Sequence, residues 1–399
     1  MYLYYLLAAL ACWFGLQSLL GGVRFAAYVR RETSRPNLQF QPFVSVIAPG
    51  RGLEPGLADN LRTLLTQDYR GYEVLFVFDA ADDPALDVVE ELQRSSQLAT
   101  KIIISGPATD CGQKVHNLRV AVTEIDPESE VLVFVDTDAR PGKQWLKQLV
   151  APLADETLGA SSGYRWFVPV AGGIASRLRG VWNASIASAL GHDQTKNFCW
   201  GGSTAIRRTT FERIGISERW RGTVSDDFTI TRVLKEAKLP IHFTPNCLVP
   251  SVGDCDFKEL LEFTTRQIKI TRVYAPHLWL PLLLGSALFT IVFFGGFILL
   301  ILQILQILSN SYVVPAVVLL IFTLGAAKSF IRFRAVSSVL TTQTSRSDLA
   351  AHILLWPVAS LLYLYNAITA GVSRRIKWRG ITYELKSPNE AVIISRDPQ

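Results

Sequence analysis

From Leu278 to Ala327 the chain runs 50 residues without an Asp, Glu, Lys or Arg. No other feature narrows the possible folds so far. An apolar stretch of about 20 residues is enough for a helix to cross a bilayer. This run therefore holds two crossings, with a turn expected near Ser309, Asn310 and Ser311. The first 23 residues are uncharged as well, and Arg24, Arg30, Arg31 and Arg35 follow them. A cleaved signal peptide opens on a basic segment and has a shorter apolar core, so this one reads as a retained anchor. A fourth apolar segment covers Leu349 to Val372.

The net charge is +6. Arg and Lys gather beside the apolar segments, as they do on the cytoplasmic flanks of membrane helices. The polar region shows no basic face interleaved with aromatics, which argues against a nucleic-acid partner. The five cysteines form no CxxC pair and fit no zinc pattern, so they read as free thiols. The positive-inside rule puts residues 24–277 in the cytoplasm and returns the chain there at Lys328, Arg332 and Arg334. A full crossing by the fourth segment would leave the basic run Arg374 to Arg379 outside. The expectation is a re-entrant or interfacial segment and a cytoplasmic tail, with the protein in the inner membrane.

Between the anchors, short apolar runs alternate with amphipathic stretches. Phe43–Ala48, Glu73–Phe78, Lys101–Ser105 and Val131–Val135 read as strands. Leu57–Leu65, Leu86–Leu92 and Lys114–Val122 read as helices. Continuous apolar strands alternating with helices imply a mostly parallel sheet covered on both faces. Ligands of such sheets bind at the carboxyl ends of the strands. Asp79 ends the second run, and Asp136 and Asp138 end the fourth, in VFVDTDARP. Two carboxylates at that spacing can hold a hard cation; a solvated polar loop is the plain alternative. Asp83-Pro84 reads as a helix cap with a first-turn proline. Ser225-Asp226-Asp227 reads as a capped helix start. Ala175 to Leu190 suits either an interfacial helix or an ordinary core helix. There is no GxxxxGK[ST] loop, no complete GxGxxG and no GxSxG.

The stretches RGLEPGLADNL, QDYRGYEVLFVFDAADDPALD, GQKVHNL, VFVDTDARP, WGGSTAIRR, VSDDFTI, TRQIKITRVY and KWRGITYEL follow in order. Together they resemble glycosyltransferase family 2, and more narrowly the ceramide glucosyltransferase group and bacterial lipid glycosyltransferases. The resemblance implies an α/β, GT-A nucleotide-sugar-binding domain with a mostly parallel sheet, flanked by transmembrane helices at both termini. It divides the chain into an anchor (1–29), the catalytic domain (40–275), a membrane region of two to three spans (278–372) and a basic tail (373–399).

The same resemblance implies roles. Asp136 and Asp138 would hold Mg²⁺ or Mn²⁺. Asp79, Lys114, Asn117, Asp136, Arg266 and Lys269 would bind the nucleotide sugar, with Arg379 also near the diphosphate. Trp200, Gly201 and Gly202 would meet sugar or acceptor. Asp227 would be the base and Asp226 its orienter. The [QR]xxRW element is altered, with Lys269 in place of Arg and Ile270 in place of Trp. Lys meets a diphosphate as a point charge, where Arg clamps it with two bonds. The implied reaction is inverting transfer from a UDP-sugar to the hydroxyl of a membrane lipid. The rivals are a processive polysaccharide synthase and a non-catalytic membrane protein with a degenerate nucleotide-sugar domain.

Overall fold

Side chains along a strand point alternately to its two faces, so a strand that is apolar throughout needs cover on both. The computed structural model, which describes residues 1–35, 39–309, 311–342 and 344–397, has this arrangement. Its strands are β1 (Val44–Pro49), β2 (Tyr72–Phe78), β3 (Thr100–Ile104), β4 (Val131–Phe134), β5 (Ala160–Val168), β6 (Thr204–Arg207) and β7 (Ile241–Val252). They form one sheet in the order β3-β2-β1-β4-β6-β5-β7. Val44, Val46, Val74, Phe76, Val131 and Val133 enter one core, while Ile47, Leu75, Val77, Leu132 and Phe134 enter the other.

The pairings around β1 are parallel, as is β5 with β7; β6 runs antiparallel to both β4 and β5. From β1 the chain goes to β2 on one side, and β4 lies on the other. Such a reversal opens a crevice at the carboxyl ends of the central strands. The second half of the sheet, β5 to β7, was not legible in the strand pattern.

The N-terminal helix runs unbroken from Tyr2 to Thr33, past the boundary expected at residue 29. Its last turns enter the core of the sheet. Phe25 and Tyr28 stack on Phe243, and the Tyr28 hydroxyl donates to the Phe243 carbonyl at 2.6 Å. Its upper part packs along helix Val313–Ser337, where Gly15 faces Leu324 and Gly22 faces Lys328. Helix Pro276–Ile304 completes a set of three helices long and apolar enough to cross a membrane. The expected turn between the last two lies between Ile304 and Val313; Asn310 is outside the described residues.

The fourth apolar segment is two helices, Arg346–Leu354 and Trp356–Val372, bent by 59°. Both of its ends lie against the α/β domain. Asp348 pairs with Arg177, and His352 stacks on Trp166 at one end. At the other end the tail folds into β8 (Arg375–Trp378), β9 (Ile381–Ser387) and β10 (Glu390–Arg396). The tail is thus a small antiparallel sheet rather than a loose basic extension. Ile376, Ile381, Tyr383 and Leu385 pack on Val224, Ile270 and Tyr274.

Helix Ile174–Ala187 settles between the two readings of that segment. It has nine buried residues and packs on helix Trp356–Val372, with Trp182 stacked on Tyr363 at 4.9 Å. It is a core helix at the seam between domain and membrane helices.

Candidate active site

The acids come together because three elements end at one place. β4 stops at Phe134 and delivers Asp136 and Asp138. β2 stops at Phe78 and delivers Asp79. Helix Asp226–Glu236 starts there, capped by the Ser225 hydroxyl, which accepts from the Phe228 amide. The helix start is itself held from outside: the Tyr274 hydroxyl accepts from the Val224 amide at 2.8 Å.

Lys114 is the hub. Its Nζ lies 2.7 Å from Asp136 Oδ1 and 3.1 Å from Asp226 Oδ1. Burial alone would lower its pKa, but Asp136, Asp226 and Asp227 outweigh burial and hold the ammonium above its ordinary value. Burial pushes Asp226 up to about 6, with Lys114 opposing and the neighbouring acids adding. Asp226 Oδ2 has no hydrogen-bond partner.

Asp227 is placed differently. It is half-buried, and its Oδ1 accepts from the Ser225 hydroxyl at 2.5 Å and from the Phe228 amide at 2.7 Å. Its Oδ2 lies 3.5 Å from the Gly201 amide. A Cβ on Gly201 would run into Asp226 Oδ2 and Lys114 Nζ, and one on Gly202 into the Trp200 ring. These glycines are required by close approach.

Arg165, on β5, was not foreseen. Its Nη2 stands 3.2 Å from Asp136 Oδ2 and 3.1 Å from Asp138 Oδ1. Its guanidinium lies over Trp200 and Phe167, at 5.1 and 5.3 Å from the ring centroids. The only hint in the sequence is a single charge inside an otherwise uncharged strand. Arg165 and Lys114 pull the pKa of Asp136 down against burial. At Asp138 burial dominates and raises it, although a third of that side chain opens to the cavity.

One carboxylate oxygen from each of Asp136 and Asp138 thus converges on a single positive centre. Two carboxylates that already share one positive partner are hard oxygen donors of the kind a divalent cation takes, so the residues fit one. Among the described residues no third His, Cys, Asp or Glu joins them. Further ligands would have to be substrate oxygens or water.

Asp79 is buried, with Oδ2 3.5 Å from Arg51 Nε and Oδ1 unpartnered. Asp83 accepts from the amides of Gly52 and Ala85, at 2.9 Å each, and so pins the loop after β1 to the start of helix Ala85–Ser95. Asn117 lines the same cavity, but its amide group is engaged by Ser105, Gln113 and the Val77 carbonyl. His116 turns away to the Ser105 carbonyl at 3.0 Å.

Arg266 reaches the cavity over Trp378, 5.5 Å from the ring centroid, and burial pushes it down to about 10. Arg379 joins from the tail, donating to the Arg51 carbonyl and pairing with Glu54. Lys269 departs from expectation. One turn beyond Arg266 it faces the tail, where its Nζ donates to the Arg375 carbonyl at 2.7 Å. It is not among the residues lining the cavity.

All the other expected residues except Asp79 and Gly201–Gly202 line one cavity of about 1330 Å³. It starts at the carboxylates and continues between the membrane helices, along Phe14, Leu282, Phe289, Ile321 and Trp356.

The family model described as "Glycosyl transferase family 21" matches residues 3–391, nearly the whole chain. The chain belongs to glycosyl transferase family 21. The family 2 likeness drawn from the motifs thus resolves to family 21, and the kinship with ceramide glucosyltransferases stands. This glycosyltransferase is 35% identical over 81 residues to ceramide glucosyltransferase 1 of Caenorhabditis elegans, 20% of this chain and 17% of that protein. It is 32% identical over 81 residues to ceramide glucosyltransferase 3 of the same organism, 20% and 18% of the two chains. The matched part thus spans less than a fifth of the length of these curated relatives.

Among solved structures, a mannosyltransferase from Pyrobaculum calidifontis aligns over 92% of this chain and 99% of its own. The identity is 17% and the TM-score 0.48. Glucosyl-3-phosphoglycerate synthase from Mycobacterium tuberculosis aligns over 61% and 80%, with 13% identity and a TM-score of 0.37. These scores are too low to speak to donor, acceptor or metal.

Proposed function

We propose that this glycosyltransferase moves a sugar from a UDP-sugar to a hydroxyl of a membrane lipid, with inversion, on the cytoplasmic face of the inner membrane. The observation that carries the reading is the single cavity. Its polar end holds the acids Asp136, Asp138, Asp226 and Asp227; its other end is walled by apolar membrane helices. A water-soluble donor and an apolar acceptor would meet there without leaving their own phases.

Each residue then has a task. Asp79 lies just behind the cavity wall, paired with Arg51 that lines it, and would take the base or ribose of the donor as that guanidinium shifts. Asp136 and Asp138 would hold a divalent cation, Mg²⁺ or Mn²⁺, which would supply positive charge to the diphosphate leaving group. Arg266 and Arg379 add fixed positive charge on the side of the tail, and Trp200 offers a ring face to the sugar. Asp227 takes the proton of the acceptor hydroxyl as the oxygen attacks the sugar carbon. Its carboxylate is aimed by the Ser225 hydroxyl and the Phe228 amide. Asp226, tied to Lys114, positions the helix start and keeps Lys114 in place.

The test uses membranes holding the protein, Mn²⁺ and labelled UDP-sugars, followed by lipid extraction. Label in a lipid product that vanishes in Asp227→Asn supports the reading. Label in a long polymer would replace it with a synthase. Bound UDP without transfer to any extracted lipid would overturn it.

A further inference from the structure

Helix Val313–Ser337 carries Lys328 and Arg332 one turn apart, and both line the membrane end of the cavity. Their positions after an apolar run suggest ordinary flanking charges, which snorkel to the water boundary. The structure shows otherwise for Arg332, which is only 2% exposed. Its Nη1 donates to the Ser185 hydroxyl at 3.4 Å, and its Nε has no partner. Lys328, half-buried, donates to the Ser18 hydroxyl at 2.7 Å. Among the described residues neither is paired with a carboxylate. The carboxylate nearest in sequence, Asp348, pairs with Arg177.

A buried cation without a counter-charge is strongly unfavourable, and in membrane segments such a residue marks a functional site. Here buried Arg332 and half-buried Lys328 share a wall with Ser18 and Ser329, which add hydroxyl donors, and with Phe289, Ile321 and Trp356, which suit an apolar chain. Donors on one side and apolar wall on the other fit a lipid with an anionic head.

We propose that the lipid held in this cavity carries a phosphate, seated between Lys328 and Arg332. The proposal rests on the lipid reading above and narrows it from any lipid hydroxyl to a phosphate-bearing lipid.

The test is lipid binding to the full-length protein in neutral detergent, by native mass spectrometry, with no sugar donor present. The probes are dioleoyl phosphatidic acid and dioleoylglycerol, which share their tails. The acid should bind about tenfold more tightly, the scale of one or two charge-assisted hydrogen bonds. Lys328→Gln combined with Arg332→Gln should erase the difference, and Arg332→Lys should keep most of it. If the double variant does not fold, Lys328→Gln alone should reduce the preference. Equal binding of the two lipids by the wild type overturns the proposal, as does a preference that survives in folded Lys328→Gln/Arg332→Gln. Displacement of phosphatidic acid by inorganic phosphate would reassign the site to a free anion and overturn the lipid source. Because no donor is present, the result is independent of transfer. Intact phosphate preference with no lipid product would sink only the proposed function.

Discussion

Lys114 Nζ lies 3.1 Å from Asp226 Oδ1, and so joins the start of one helix to the acid at the end of β4, 2.7 Å away on its other side. Asp226 is buried and its ion pair is with this ammonium, whereas half-buried Asp136 also holds Arg165. Lys114→Met should therefore lose both turnover and stability. Leaving buried Asp226 without its partner costs about 3–5 kcal/mol. Thermal unfolding of the purified variant would show it, and an unchanged melting point would contradict it.

Asp227 and Asp226 should separate in kinetics. Asp227→Asn should lower kcat by roughly 10²–10⁴-fold, the usual contribution of a general base, with donor affinity little changed. Asp226→Asn, which releases Lys114, should also weaken donor binding. A nucleotide-binding titration run beside the turnover assay distinguishes the two.

Asp138 shares the convergent point with Asp136, so Asp138→Asn should raise the Mn²⁺ concentration needed for half-maximal rate by about tenfold or more. The readout is a metal titration at fixed donor. A curve identical to the wild type would remove Asp138 from the metal site.

Gly201→Ala should be nearly inactive, because the new methyl would meet Asp226 and Lys114. Gly191→Ala is the control, since a Cβ there meets nothing within 4 Å. Equal turnover of the two variants would refute the close-approach argument.

His242 on β7 gives a pH signature. Burial, with Arg35 adding, pushes it down to about 4, although Glu32 lies 3.7 Å away; Arg31 and Arg35 already occupy that carboxylate. The folded-state value lies below the unfolded one. The contribution is therefore whole above about pH 6.5 and is lost as the pH falls towards 4. The full effect is of order 3 kcal/mol. His242→Phe should flatten that part of the stability profile relative to the wild type.

Local pattern decided much of what was legible. Phe43–Ala48 and Glu73–Phe78 announce strands by continuous apolar character, and β1 and β2 fall there within one residue. Leu57–Leu65 announces a helix by leucine spacing and is one. The apolar run from Leu278 holds two long helices. Asp79, Asp136 and Asp138 were visible because each follows a strand that a turn must end.

What only the tertiary structure decided are relations between distant segments. Arg165 lies 27 residues after Asp138 and reaches it because β5 joins the sheet through β6, a pairing no local period encodes. Arg332 lies 147 residues beyond Ser185, and a flanking charge becomes a cavity wall only when the helices pack. Lys269 and Arg266 share a helix, yet the tail sheet takes one and leaves the other to the cavity. Sequence sets the chemistry and the period of each element, since these depend on neighbours along the chain. Packing sets which chemistries meet, since burial rewards contacts between elements whatever their separation.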